Sequence, residues 1–493
     1  MSAPEAKRPR QPWRENIEAF TVAIVMAVML KYFAVEAYQI PTGSMQPTLM
    51  GQEFRGDRAE LAGEIKDRIL VDKFSFHMRD PERWEVVIFK YPLNRAQNFV
   101  KRLVGMPGEH LKIQYGDVWR RETPSAEWKV VRRPAAVQRE HWKAIDIGAP
   151  KGGASWKRAS NEGAAPRIEG RKVSASAPAR VEFAAHGGGP IQDTYSHGYP
   201  PGMRAELEQL PPHYNSNRNY VGDLRVTGRV RAADGARVAI ELTEGKRRYR
   251  FELPGGRSQP PASIGIAWAP NETLEPRSAT AGSPNELSVL RTAEWTEFAV
   301  ENLDDELRLE LHGEPVITLP TQPAADQTSS VTIEIVSGSA EFEDLQVWRD
   351  IHYTGGRNAS EWTIPAGHFF MLGDNTQDSS DSREWQLVQL KWTGSPAGDT
   401  PVAGNFRGGA GPGMYRPDSN PIRERTDDGL VTFFRDVYGE LHTFPTDTEV
   451  TLPPGQATIF EPFVPRQLIT GRAVAVFWPL SFKYSTYRVK WIR

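Results

Sequence analysis

The stretch YQIPTGSMQPTLMG, residues 38–51, holds a single serine, Ser44, within a turn of small and stiff residues. A serine hydroxyl is a weak nucleophile, and it requires a base, an oxyanion site and a rigid position. Pro41 fixes its own backbone angle φ, and Gly43 lets another backbone segment approach closely. These residues permit a nucleophilic serine here, although an ordinary surface turn would have the same composition.

A base for Ser44 has to come from another part of the chain. None of the 10 histidines lies in a recognisable Ser-His-Asp arrangement. Lys101, in FVKRLVGMPGE, follows Phe99 and Val100 in an apolar, strand-like run. Burial would lower the pKa of this lysine from about 10.4 toward neutrality and make its amine a general base. The alternative is a lysine on the solvent face of a strand. Arg102 points to the face opposite Lys101, where we expect it in a solvated or ion-paired role.

A third polar stretch, GDNTQDSSDSR, runs from Gly373 to Arg383 and combines carboxylates, serines and an arginine. It reads as a polar loop or as a calcium-binding loop. The calcium alternative lacks the regular oxygen spacing and the closing glutamate of an EF-hand loop.

An apolar run, AFTVAIVMAVMLKYFAV, occupies residues 19–35 and is interrupted only by Thr21 and Lys31. As a helix it would span about 26 Å, near the lower limit for crossing a bilayer. We therefore expect a transmembrane anchor over 17–37, with a cleaved signal peptide or a buried helix as alternatives. The positive-inside rule then places the N-terminus in the cytoplasm, because basic residues precede the run; these are Lys7, Arg8, Arg10 and Arg14.

Over most of the remaining chain, the pattern of apolar and polar residues predicts short antiparallel strands. Residues 219–350 alternate apolar and polar side chains: Val238, Ile240 and Leu242 share one face of their strand, as do Tyr249, Phe251 and Leu253. Alternating strands separated by turn signals indicate an antiparallel β-sandwich. The fold class is therefore mainly β.

Composition sets further limits. The net charge is −2, which does not favour a nucleic-acid-binding protein. The chain has no cysteine, which excludes disulfides, thiol catalysis and thiolate metal sites. The patterns predict these regions: a basic tail 1–16, the anchor 17–37, a first catalytic part 38–119, an irregular insertion 120–218, the sandwich 219–350, a second catalytic part 351–386, a second insertion 387–463 and closing strands 464–493.

Taken together, four separated blocks resemble the bacterial type I signal peptidases, the Ser-Lys leader peptidases. The blocks are QIPTGSMQPTL, RILVDKF with WEVVIFKYP, FVKRLVGMPGE and GDNTQDSSDSR. Residues 219–353 also resemble, more loosely, a concanavalin-like, laminin-G-type jelly roll. The insertions 120–350 and 387–463 depart from the peptidase pattern, since typical family members are much shorter.

The peptidase resemblance implies a role for each matching residue. Ser44 would be the nucleophile and Lys101 the base, while the Ser44 amide and the Thr42 hydroxyl would form the oxyanion site. The family commonly has serine where Thr42 stands. Ser379 would hydrogen-bond Lys101, and Asp381 would pair with Arg383. The further implied residues are Gly373 and Asp374, which shape the loop, and Ile40, Met45, Leu49, Phe99 and Val100, which line apolar pockets for small substrate residues.

The resemblance therefore implies a serine endopeptidase that removes signal peptides from secreted preproteins and needs neither metal nor cofactor. It would be a single-pass protein of the inner (plasma) membrane, in contact with lipid, with its catalytic part on the extracytoplasmic side. We expect no nucleic-acid partner, and the sandwich would have a carbohydrate or protein ligand. The alternative is a membrane-tethered lectin-like or protein-binding module on an inactive peptidase scaffold.

Overall fold

The computed structural model describes most of the chain. The described residues are 12–33, 35–51, 66–145, 154–159, 163–176, 178–185, 188–194, 197–199, 219–256, 261–278, 290–356, 359–377, 379–398, 400–404, 422–427, 429–451, 459–478, 480–481 and 486–493. Of the basic residues used to predict topology, Lys7, Arg8 and Arg10 lie outside these ranges.

Helices form a small part of the structure. They are α1 (Pro12–Phe33), α2 (Ser75–Met78), α3 (Ala135–His141) and a 3₁₀ turn at Arg466–Leu468. Within the described ranges, no helix combines the length and apolar character that a membrane crossing requires. The transmembrane anchor predicted over 17–37 is therefore not supported by α1.

Strands dominate the described residues, so the prediction of a mainly β protein is confirmed. In the first part of the chain they are β1 Val35–Gln39, β2 Arg68–Asp72, β3 Val86–Tyr91, β4 Asn94–Gly105, β5 His110–Gln114, β6 Asp117–Arg121, β7 Lys129–Val130, β8 Lys143–Ala144, β9 Ser155–Arg158, β10 Arg167–Glu169, β11 Lys172–Ala175 and β12 Ala179–Ala184. The middle of the chain contributes β13 Leu224–Ala232, β14 Arg237–Glu244, β15 Arg247–Pro254, β16 Ser263–Ala267, β17 Glu275–Ser278, β18 Thr296–Leu303, β19 Glu306–Leu311, β20 Glu314–Pro320, β21 Ser329–Ser337, β22 Ala340–Arg349, β23 Glu361–Thr363 and β24 His368–Leu372. The last part contributes β25 Gln386–Trp392, β26 Val402–Gly404, β27 Ile422–Thr426, β28 Gly429–Arg435, β29 Leu441–Pro445, β30 Val450–Thr451, β31 Ile459–Phe460, β32 Phe463–Pro465, β33 Ile469–Trp478, β34 Leu480–Ser481, β35 Thr486–Tyr487 and β36 Lys490–Trp491.

The chain divides into two compact units. Unit 1 comprises Met1–Pro107, Pro365–Asp374 and Ser379–Arg493, and unit 2 comprises Gly108–Ile364 and Asn375–Asp378. Unit 1 is built on an antiparallel sheet in the order β1-β2-β33-β3-β4-β24-β32, with β36 beside β33. Strands from early and late parts of the sequence alternate in this sheet, so it forms only when distant segments come together.

Unit 2 contains the predicted sandwich. Its two large antiparallel sheets run β10-β11-β22-β13-β18-β19-β20, with β8 beside β22, and β17-β16-β15-β14-β21-β12-β9. Both sheets contribute buried side chains to one hydrophobic core. Ile240 pairs with Phe251, and both side chains are fully buried in that core, as their alternation predicted. The antiparallel sandwich is thus confirmed.

The sandwich begins earlier in the chain than residue 219, where the alternation of apolar and polar residues starts. Strands β9 to β12 fall within 120–218, the segment that the sequence predicts to be an irregular insertion. They extend both sheets of the sandwich. These strands are four, three, four and six residues long, too short for period-two alternation to stand out between glycine-rich stretches. Likewise β5 and β6, predicted as part of the catalytic portion, belong to a four-stranded sheet of unit 2.

The second insertion, 387–463, also contains ordered strands. A small sheet places β25 beside β26, β30 and β31, and another runs β27-β28-β29. A separate core joins them, in which the rings of Trp392 and Phe444 stack with centroids 5.0 Å apart. Phe434 and Leu390 complete this core.

The boundaries of unit 2 lead to a testable prediction. Residues 108–364 expressed alone should fold into a β-rich domain that unfolds cooperatively, as followed by circular dichroism during heating. Residues 215–353 alone should aggregate or lack a cooperative transition, because that fragment omits Trp156, Val181 and Phe183 from the shared core. Equal melting temperatures for the two fragments would contradict the assignment of β9 to β12 to the sandwich.

Candidate active site

Lys101 lies in the middle of unit 1, on strand β4 between β3 and β24. It pairs with Val87 of β3, and its side chain is almost fully buried, with 2% of the residue exposed. The Lys101 Nζ atom lies 5.8 Å from the centre of the Phe99 ring. A buried, apolar position is the environment that favours the neutral form of a lysine, the form able to accept a proton.

Ser44 lies in the turn that follows β1, and its residue is half-buried. Two backbone hydrogen bonds shape the turn: Gln46 N donates to Gly43 O at 3.0 Å, and Leu49 N donates to Met45 O at 2.8 Å. The Lys101 Nζ donates a hydrogen bond to the Ser44 Oγ. The structure thus brings together the two residues that the sequence singled out as nucleophile and base, 57 positions apart.

Thr42 precedes Ser44 by two residues in the same turn and is half-buried. The geometry therefore keeps its hydroxyl in the neighbourhood of the nucleophile. Its part in an oxyanion site stays a prediction, because no reacting carbonyl is present to define where the oxyanion would lie.

The loop after β24 carries the third predicted group. Gly373 N donates to Asp381 Oδ2 at 3.0 Å, and Arg383 binds the same carboxylate through Nε and Nη2, each at 2.8 Å. Burial would raise the pKa of Asp381, but the Arg383 guanidinium outweighs burial and holds that pKa below its usual range. The Asp381–Arg383 pair expected from their spacing is therefore present, and its carboxylate is ionised and occupied.

Ser379 and Ser44 both border Gly373. A Cβ added at Gly373 would approach Ser379 Cβ to 2.7 Å and would also clash with Ser379 Oγ and Ser44 O. Only glycine fits between these two serines. The Ser379 Oγ is buried without a hydrogen-bond partner in the structure, so the predicted hydrogen bond from Ser379 to Lys101 is not formed. The hydroxyl is close to the site, and it has no hydrogen-bond partner among the described residues.

Arg102, next to Lys101, takes the ion-paired role that the sequence offered as one alternative. Its guanidinium donates to both carboxylate oxygens of Asp374, from Nε at 2.8 Å and from Nη2 at 2.7 Å. Neither side chain is exposed. Arg102 faces Leu372 across the β4–β24 ladder, so the bidentate pair fixes the start of the 373–383 loop to the strand that carries Lys101.

The residues predicted to line substrate pockets separate into two groups. Ile40, Met45 and Leu49 are buried in a hydrophobic cluster of unit 1, and Met45 and Leu49 have no exposed surface at all. Phe99 and Val100 are partly exposed. Since a side chain without exposed surface cannot contact a substrate in this conformation, Met45 and Leu49 are not supported as pocket residues, and the pocket-lining prediction remains for Ile40, Phe99 and Val100.

One contact of this turn was not indicated by any sequence pattern. Arg488, which precedes β36, donates to backbone oxygens of Pro47 and Thr48 and binds the buried Asp67. Neither Asp67 nor Arg488 belongs to a recognisable motif, and they are 421 positions apart.

Two groups of side chains in the described ranges have oxygen or nitrogen atoms close enough to hold a cation. One comprises Asp436, Glu440 and His442 in unit 1, and the other comprises Asp117, Asp223, Asp304 and Asp350 in unit 2. Burial, followed by neighbouring carboxylates, raises the pKa of Asp117 and of Asp223. Burial also raises the pKa of Asp304, to about 6, against the opposing effect of Arg133. Neither group contains Ser44 or Lys101.

The family model described as "Signal peptidase, peptidase S26" matches residues 13–150 and 314–393, which include Ser44, Lys101 and Ser379. Most of the sandwich lies between these two segments and is not matched by the family model.

Curated relatives carry the same family description. The chain is 33% identical over 117 residues to "Probable signal peptidase I-2" of Synechocystis sp., which covers 22% of the chain and 47% of the relative. It is 31% identical over 133 residues to "Probable signal peptidase I-1" of the same organism, covering 25% and 61%. The chain thus spans about half the length of the curated relatives it matches.

Solved structures also show a likeness to part of the chain. A carbohydrate-binding module, CBM66 from Bacillus subtilis, matches 38% of this chain and 92% of its own, with a TM-score of 0.24 and 10% identity. The Caenorhabditis elegans galectin LEC-6 matches 27% and 85%, with a TM-score of 0.20 and 7% identity.

Ser44 and Lys101 lie within the segments that the family model matches, and the curated relatives are named as signal peptidases. Over these segments the chain is similar to the signal peptidase family, peptidase S26.

Proposed function

We propose that this chain is a type I signal peptidase, a serine endopeptidase that cleaves N-terminal signal peptides from exported preproteins. The observation that supports this proposal most directly is the hydrogen bond between the buried Lys101 amine and the Ser44 hydroxyl. A buried amine in contact with a hydroxyl, in a turn held by backbone hydrogen bonds, meets the requirements of a Ser-Lys dyad.

In the proposed reaction the neutral Lys101 amine accepts the Ser44 hydroxyl proton while Oγ attacks the scissile carbonyl carbon. The resulting oxyanion accepts hydrogen bonds from the Ser44 amide and the Thr42 hydroxyl. Lys101 then gives its proton to the leaving amine, and an ester remains on Ser44. Water, deprotonated by Lys101, hydrolyses that ester and restores the dyad.

The proposed substrates carry small residues next to the cleavage site. Phe99 is partly exposed on β4, two residues before Lys101. Its ring stacks on Tyr91 at a centroid distance of 4.1 Å with an interplanar angle of 5° and lies 6.4 Å from Trp385. A ring fixed on two sides gives a shallow, rigid apolar wall, which suits small side chains better than large ones.

We also propose that the protein acts at the inner membrane, with its catalytic part on the extracytoplasmic side. The support is a set of strongly exposed apolar side chains on α1; these are Phe20, Val22, Ile24, Val25 and Met26. Exposed apolar side chains are stabilised by contact with lipid.

A Val22→Asp, Val25→Asp double variant should leave the membrane fraction after cell lysis, whereas the Thr21→Ser variant should remain in it. Retention of both variants in the membrane fraction would contradict this location.

A ligand of the sandwich stays a separate proposal. Unit 2 has a cavity of about 590 Å³ whose lining includes Tyr115, Tyr220 and His352. Aromatic and polar side chains, together with the carboxylate of Asp326, suit a carbohydrate or a polar peptide. Unchanged tyrosine fluorescence across a panel of soluble oligosaccharides would argue against the carbohydrate form.

The dyad gives a direct prediction. Ser44→Ala, Lys101→Ala and Lys101→Arg should each lower kcat on a preprotein with an Ala-X-Ala cleavage site by about 10³-fold or more. Arginine fails because its guanidinium stays protonated at all working pH values. Lys90→Arg, at an exposed position of β3, is the matched control and should keep full activity. Cleavage by Lys101→Arg at the wild-type rate would exclude Lys101 as the base.

The oxyanion role of Thr42 gives a second prediction. Thr42→Ser keeps the hydroxyl and should retain most of the activity. Thr42→Val is nearly isosteric but lacks the donor, and it should lower kcat by about 10²–10³-fold with little change in KM. If serine and valine at this position give the same kcat, the Thr42 hydroxyl donates nothing to the transition state.

A further inference from the structure

Both ends of the turn that carries Ser44 are attached to one residue, Asp67. At the start of the turn, Ile40 N donates to Asp67 O at 2.9 Å. At its end, Asp67 N donates to Met50 O at 2.8 Å, and Met50 N donates to Asp67 Oδ2 at 2.8 Å. Asp67 has no exposed surface. The segment 40–50 is therefore a closed loop whose two ends meet at one buried aspartate.

Arg488 fixes the far side of the same turn. Its Nε and Nη2 bind the Asp67 carboxylate, at 2.8 Å to Oδ1 and 2.8 Å to Oδ2. Its Nη2 also donates to Pro47 O and Thr48 O, each at 3.1 Å. One guanidinium thus joins the carboxylate that closes the turn to two carbonyls three and four residues after Ser44. The planar, forked donors of arginine suit such a set of acceptors, whereas a lysine could not reach all of them together.

Gly51 makes this closure possible. A Cβ at Gly51 would lie 2.5 Å from Ile40 O and 2.6 Å from Ile40 Cγ2. Any larger residue would push the two ends of the turn apart. The close approach of the ends and the Asp67 hydrogen bonds therefore depend on each other.

We infer that Asp67 and Arg488 are positioning residues for Ser44. Neither is bonded to Ser44 or Lys101 in the described contacts, so they act through the turn. A turn that carries a nucleophile can move by an ångström while the domain stays folded. A shift of that size reduces the rate of a reaction that depends on positioning by about 10²-fold. This inference rests on the proposed peptidase function, and it goes beyond it by assigning a role to two residues outside the four family blocks.

The test compares Arg488→Gln, Arg488→Lys and Asp67→Asn with the wild-type full chain. Arg488→Gln should lower kcat by about 10²-fold with KM changed by less than about threefold, because the substrate surface is intact and only the nucleophile is misplaced. Arg488→Lys keeps the charge next to Asp67 and should recover part of the loss. Asp67→Asn keeps an acceptor for Met50 N and tests the ion pair if Arg488→Gln fails to fold.

A matched control separates positioning from general stability. Arg133 and Asp350 form a similarly buried pair in unit 2, with a distance of 2.7 Å and side-chain exposures of 2% and 1%. Arg133→Gln should lower the melting temperature, as Arg488→Gln does, and leave kcat unchanged. A loss of kcat in Arg133→Gln equal to that in Arg488→Gln would overturn the positioning role.

Hydrogen exchange gives a readout that needs no activity. Arg488→Gln should raise amide exchange in the peptide that covers residues 40–51, and Arg133→Gln should not. Faster exchange there with wild-type kcat would overturn the inference, as would wild-type exchange in Arg488→Gln. If the wild-type chain cleaves no preprotein while exchange responds as expected, the proposed function fails and the closure of the turn stands.

Discussion

The contact between Lys101 Nζ and Ser44 Oγ imposes the strictest constraint on unit 1. An amine can accept a proton only when it is neutral, and a buried site favours that neutral form. The hydroxyl, however, has to remain reachable by a substrate. The structure meets both requirements by placing Lys101 on a central strand, where 2% of it is exposed, and Ser44 on a half-buried turn above it. The residues around Ser44 and Lys101 therefore have to keep strand β4 and the Ser44 turn in fixed positions relative to each other.

Buried Arg–Asp pairs hold the segments that surround the dyad. Arg102–Asp374 joins β4 to the start of the 373–383 loop, and Arg383–Asp381 folds that loop on itself. Arg488–Asp67 closes the Ser44 turn. Breaking such a pair by removing one partner costs about 3–5 kcal/mol, because a charge is left buried and unpaired. These pairs specify geometry, and each of these three carboxylates is bound by a guanidinium. An unpaired carboxylate at the position of Asp381 would instead stabilise the charged form of Lys101, so the Arg383 contact also favours the base role proposed for Lys101.

The sequence predicts the parts of the site that are local and misses those that depend on long-range contacts. Ser44 and Lys101 could be selected because a turn composition and an apolar strand are each visible within about ten residues. The alternation from 219 onward likewise predicted the sandwich faces. Asp67 and Arg488 carry no local signal, since one precedes an ordinary strand and the other lies among short terminal strands. Met45 and Leu49 were predicted as pocket residues, but spacing cannot tell an apolar side chain that faces a substrate from one that faces the core.

The location of the large insertion follows from the pairing of β4 with β24. Gly105, near the end of β4, faces Phe370 of β24, so the places where the chain leaves unit 1 and returns to it are adjacent. Within unit 2, Gly108 N donates to Ile364 O at 3.0 Å and Ile364 N donates to Glu109 O at 2.9 Å. The two ends of unit 2 are therefore hydrogen-bonded to each other. A domain whose ends meet can occupy a connection between neighbouring strands without separating them. This explains how Lys101 on β4 and the 373–383 loop after β24 remain in one site although more than two hundred residues lie between them in the sequence.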